Sequence, residues 1–143
     1  MLVLIVLLAC QPAMAADEPS VQSAEIMYML NCQGCHRADG GGTGSAVPSL
    51  AGLVARFLSV PAGREYLIRV PGVEASPLSD HSLAIVVNWM LQTFDREHVP
   101  ADFIPYTAQE IGSFRKMGPY GTEASSVRLA LLKSFPPAAS VNR

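Results

Sequence analysis

Apolar residues recur along this chain at helical rather than strand spacing. The clearest stretch is Asp80 to Phe94, where Leu83, Val86, Val87, Met90, Leu91 and Phe94 fall at i, i+3, i+4 and i+7 on one face. Ser79, following Ser76-Pro77-Leu78, is placed to cap it, so a helix is expected over 80–94, with Trp89 flanking its apolar stripe. A helix running to Asn31, capped by Ser20 or Ser23, would carry Ile26, Met27, Met29 and Leu30 as apolar surface. Ala51 to Val60 is a short apolar segment closed by Pro61, and Ala62 to Val70 a second short helix closed by Pro71-Gly72. Thr107-Ala108-Gln109-Glu110 is a capping box that should open a helix of about ten residues, stopped by Gly118-Pro119. Thr122 or Ser125 then starts a last helix with Val127, Leu129, Leu131 and Leu132, ending before Pro136-Pro137. No run alternates as a strand does, so the chain reads as all-α.

Composition sharpens this only in places. With 143 residues, half of them hydrophobic, the chain suits one core-forming domain that carries an extension. A net charge of −2 gives no reason to expect nucleic acid as a partner. Acids outnumber bases up to Asp95, and the remainder is mildly basic. At the start, no residue before Asp17 is charged, Leu2 to Ala9 is an apolar run too short to cross a bilayer, and Ala13-Met14-Ala15 is an A-x-A cleavage pattern. Residues 1–15 therefore read as a signal peptide that exports the chain, periplasmic in a bacterium, although a basic leading region is missing. Leu7-Leu8-Ala9-Cys10 also resembles a lipoprotein box, and membrane association is expected only if Cys10 is lipidated.

The chemistry centres on Cys32-Gln33-Gly34-Cys35-His36. Two cysteines at this spacing with histidine directly after form the c-type haem attachment pattern. Each thiol can add to one vinyl group of the porphyrin, and His36 is then held where its imidazole binds iron. A thioredoxin-like redox pair has no need of the adjacent histidine, and a zinc site lacks a second Cys or His pair downstream. The single motif implies one covalent haem c. The following Asp39-Gly40-Gly41-Gly42-Thr43-Gly44 cannot be helix, and its backbone can pass close to a flat ring.

These residues together resemble the class I c-type cytochromes, of the small bacterial monohaem kind, over roughly Ala24 to Phe94. The resemblance implies a cytochrome c-like helical fold around the haem in 16–95, with 96–143 a C-terminal helical hairpin extension outside it. It implies that the first helix crosses the closing helix at Tyr28 and Trp89, with Ala24 as the small residue at the contact. Pro48, twelve residues after His36, matches the proline whose carbonyl accepts from the other imidazole nitrogen, and Leu50 matches the leucine that packs on the ring. Arg64, Tyr66 and Arg69 are placed to hold the haem carboxylates, since a guanidinium pairs a carboxylate in a bidentate way.

One departure bears on function. The family's distal methionine lies before the closing helix, at about Val73 here, and no methionine occurs between Leu30 and Trp89. His81, Met90, His98 and Met117 are the candidates for the vacant role, and an iron with no second protein ligand is the remaining case. The resemblance implies an electron carrier between exported redox proteins, such as a dehydrogenase donor or an oxidase acceptor, without catalytic residues of its own. An open iron would instead suit a haem enzyme or a small-ligand-binding haem protein.

Overall fold

A computed structural model describes residues 21–44 and 46–137; the expected signal peptide and Cys10 lie outside them. All the regular structure described is helical, apart from one isolated bridge between Thr43 and Val47.

Helix α1 spans Val21–Asn31. Ala24 and Tyr28, one turn apart, are its buried residues, whereas Ile26, Met29 and Leu30 stay exposed, Leu30 at 74%. Among its described side chains the inward face of α1 is thus Ala24 and the Tyr28 ring, with Met27 packed beside that ring's cluster. A single turn, α2 at Gln33–His36, follows directly. It ends at Arg37, whose left-handed backbone (φ 61°) is fastened when the Tyr28 hydroxyl donates to the Arg37 carbonyl at 2.7 Å.

The glycine-rich stretch then runs close to its neighbours. A Cβ on Gly40 would lie 2.8 Å from the Phe94 ring, and one on Gly42 would lie 2.3 Å from the Val47 carbonyl oxygen. Both have positive φ, so side chains are excluded there twice over. A 3-10 stretch, Val54–Ser59, buries Val54, Ala55 and Phe57. Helix α3, Gly63–Arg69, matches the expected short helix. Pro71-Gly72, expected only to stop it, opens another turn, α4 at Pro71–Glu74, because proline suits a first helical position.

Helix α5 spans Asp80–Phe94, as the stripe requires, and the Ser79 hydroxyl accepts from the Ser82 amide at 3.1 Å. Its buried residues are Leu83, Ala84, Val86, Val87, Met90 and Leu91. It packs on α1 through a three-ring contact, with Tyr28 5.3 Å from Trp89 and 5.0 Å from Phe94. The crossing at Tyr28 and Trp89 is therefore present. Asp95 closes the helix and is the one buried charged residue of the described chain, 4% exposed. Its carboxylate accepts from the Ala55 amide at 2.7 Å and faces His98 Nδ1 at 2.5 Å.

The extension is helical as expected, with α6 at Ala108–Lys116 and α7 at Ala124–Lys133. The Thr107 hydroxyl caps α6, accepting from the Glu110 amide at 3.2 Å. The capping box is only half formed, because the Glu110 carboxylate turns to Arg64 instead. Helix α6 lies on α5 and α3, and α7 rests on α3. At the first contact Gly112 leaves no room: a Cβ would fall 2.5 Å from Asp80 Oδ2. Tyr106 and Ile111 of the extension belong to the same apolar cluster as Val54, Ile68, Leu83 and Leu91. Residues 96–137 thus help to build the core rather than hang from it.

Candidate haem-binding site

A cavity of about 660 Å³ opens between α2, α3, α5 and α7, within the size range of cofactor pockets. Cys32, Cys35 and His36 lie on one wall, and Pro48 and Leu50 continue it. Leu83, Val86, Val87, Met90 and Leu91 bring the apolar face of α5, with Val54, Phe57, Tyr66 and Leu67 beside it. The motif residues reach this wall because α2 follows α1 with no linker: the Cys32 amide bonds the Tyr28 carbonyl at 2.8 Å and the His36 amide bonds the Cys32 carbonyl at 2.9 Å.

The donors fit a covalently attached haem. Cys32 and Cys35 are both free thiols. Burial, and then its neighbour Cys35, pushes the Cys32 thiol up, the reverse of what a redox-active dithiol needs. His36 Nδ1 is buried and makes no hydrogen bond. A nitrogen with no open surface does not face the cavity, so Nδ1 is turned to the protein on the Pro48 side, and Nε2 is the nitrogen that would be left for iron. Burial lowers the His36 pKa, while the Pro48 carbonyl acts in the opposite sense without closing a full hydrogen bond. The net effect keeps the imidazole neutral, the form that can bind iron.

The other expected residues divide. Pro48, Leu50 and Tyr66 line the cavity; Arg64 and Arg69 do not. Arg64 forms a bidentate pair with Glu110, at 2.8 and 2.7 Å, and lies 4.0 Å over the Tyr106 ring. Arg69 pairs with Glu65, donates to the Gly118 carbonyl at 2.7 Å and covers the Tyr120 ring at 4.2 Å. Both guanidiniums are spent on holding the extension, which corrects the expectation that they face the haem carboxylates.

The candidates for the second iron position divide too. Met117 ends α6 and is 54% exposed, and His81 is exposed on the first turn of α5. His98 is engaged by Asp95. None of the three lines the cavity; Met90 does, packed with Tyr28 and Val86. Sequence reasoning missed the contribution of α7 and the turn before it: Gly121, then Ala124, Ser125, Arg128 and Leu129 of α7, also line the cavity. Their only signal was the apolar spacing of the last helix, which does not say what that helix covers.

An all-helical chain with two free cysteines and the adjoining histidine on the wall of an apolar cavity is a c-type cytochrome, a haem electron carrier whose cofactor is haem c. The chain belongs to the cytochrome c family, whose sequence pattern matches residues 21–69. Cytochrome c-552 from Thermus thermophilus is 33% identical over 120 residues, spanning 70% of this chain and 92% of the relative. A second cytochrome c-552 from the same species is 33% identical over 120 residues, with 81% of its length covered.

Proposed function

We propose that this cytochrome is exported and carries single electrons between exported redox proteins, a dehydrogenase donor or an oxidase acceptor. In this reading Cys32 and Cys35 form the two thioethers, His36 is the proximal ligand, and Pro48 and Leu50 fix the imidazole and the ring. The observation that carries it is the placement of two free cysteines and His36 together on the wall of one large apolar cavity. Bound haem c supplies a one-electron ferric/ferrous couple. The chain's part is to anchor the group, hold the imidazole neutral and exclude water with the apolar faces of α5 and α3. Met29 and Leu30 are exposed beside the motif, apolar surface of the kind a small transient contact uses. No helix among the described residues is long and apolar enough to cross a membrane. The test is the mass and extractability of the haem. Intact mass should show one haem on a chain starting near Ala16, and acid-acetone should not remove it. Cys35→Ala should leave a single thioether, seen as a shifted ferrous absorption band.

One observation favours a second reading, an iron open to small ligands: of the four candidate distal donors, only Met90 lines the cavity, and it is packed into the α1–α5 contact. The ferrous protein is then expected to bind carbon monoxide readily, and the ferric spectrum to lack the long-wavelength sulfur-to-iron band. Met90→Leu should change neither. A stable sulfur band lost in Met90→Leu would assign Met90 as the ligand and close the open-site reading.

A further inference from the structure

Haem brings two carboxylates as well as a flat apolar ring. A carboxylate against apolar walls needs a cation or strong donors, since an unpaired buried charge is costly. Neither Arg64 nor Arg69 is available for this. The cavity lining contains one guanidinium, that of Arg128 on α7, and no Asp or Glu. Arg128 is half-buried and has no hydrogen bond or ion pair with any described residue, and its charge acts on Tyr66.

Tyr66 is left over in the same way. Its ring is 6% exposed and stacked on Phe57 at 4.9 Å, so its position is fixed. The hydroxyls of Tyr28, Tyr106 and Tyr120 each donate to a protein acceptor, at 2.7, 3.0 and 2.8 Å respectively. The Tyr66 hydroxyl has no such partner among the described residues, and Tyr66 lines the cavity. Burial raises its pKa while the positive charge of Arg128 works against that, so the two groups sense one another. Thus the cavity holds a cation and a neutral hydroxyl, both uncommitted, contributed by α7 and α3.

We propose that Arg128, with the Tyr66 hydroxyl, holds a haem carboxylate, so that α7 is a wall of the haem site. This rests on the haem reading above. The guanidinium supplies paired donors of the right shape for a carboxylate, and the hydroxyl supplies one more. A cation held there also disfavours the ferric state, which carries one more positive charge, and so raises the reduction potential.

The experiment compares haem-loaded wild type, Arg128→Gln, Arg128→Lys, Tyr66→Phe and Arg96→Ala, the last removing a charge from an exposed position off the cavity. The readouts are the midpoint potential and the carboxylate bending band of the haem in resonance Raman spectra. Arg128→Gln should lower the potential and shift the band, Arg128→Lys should recover most of the potential, and Tyr66→Phe should shift the band alone. Arg96→Ala should do neither. An unchanged potential and band in Arg128→Gln overturn the proposal. A lowered potential with an unmoved band overturns it as well, since that is the result of water entering a loosened cavity. Extractable haem in the wild type would instead break the attachment reading, a separate result.

Discussion

The contact of α1 with α5 and the contact of the extension with the core are built from different forces. At the first, Ala24 admits close approach and the Tyr28, Trp89 and Phe94 rings pack within 5.5 Å of one another. At the second, arginines do much of the joining. Arg64 pairs with Glu110, and Arg69 reaches the Gly118 carbonyl. Arg115 donates to the carbonyls of Glu74, Ser76 and Leu78 and to Asp80. Asn88 and the Tyr106 backbone exchange hydrogen bonds at 2.9 and 2.8 Å. Ring burial is nearly indifferent to salt and pH, whereas charge-assisted hydrogen bonds at half-exposed sites respond to both. One chain thus combines a junction set by shape with a junction set by charge.

The sharpest way to separate them is Tyr28→Ala, which removes the ring at the centre of the first contact. It should cost about 3–5 kcal/mol by chemical denaturation, with little change at high salt. A loss under about 1 kcal/mol would mean that the rings do not hold the crossing. Arg64→Ala should cost less, about 1–2 kcal/mol, since the pair is roughly a third exposed. That loss should shrink at high salt, and Arg64→Lys should not restore it, because an ammonium gives neither the bidentate pair nor the flat stack on Tyr106. Equal losses at low and high salt would place this junction in the same class as the first.

The smallest effect is one of pH. The Tyr120 hydroxyl, and then Arg69, hold the Glu65 carboxyl below its ordinary value of 4.5. A depressed pKa contributes stability that is present above the ordinary value and lost as pH falls through the folded one. The melting temperature of Glu65→Gln should therefore lie below that of the wild type at neutral pH. The gap should close at pH values under 4.5. A gap that persists in acid would assign the loss to packing rather than to charge.

What the sequence discloses follows the same division. The bounds of α5 follow from Ser79 and a single apolar stripe, and the attachment motif needs only five consecutive residues. Both signals are local. Arg64 and Arg69 carry the right chemistry for carboxylates, but their partners turn out to be Glu110 and Glu65, and nothing in the linear pattern ranks those above a haem carboxylate. Glu110 shows the conflict directly: its spacing from Thr107 matches a capping box, and the bidentate bond to a distant guanidinium wins over one backbone amide. Asp95 sits in what reads as a polar link, yet it is buried because the Ala55 amide needs an acceptor forty positions away. Arg128 lies among apolar positions of an amphipathic helix, and only tertiary placement brings it to the cavity.

That placement has a consequence in time. The residues that would bind haem covalently lie in the first third of the described chain, whereas the helix that walls the cavity comes last. A polypeptide made from its amino end therefore presents Cys32, Cys35 and His36 long before α7 exists. Until then the cavity lacks the wall that Ala124, Arg128 and Leu129 supply. A chain ending before α7 would keep every residue that could bind haem covalently and lack one side of the pocket.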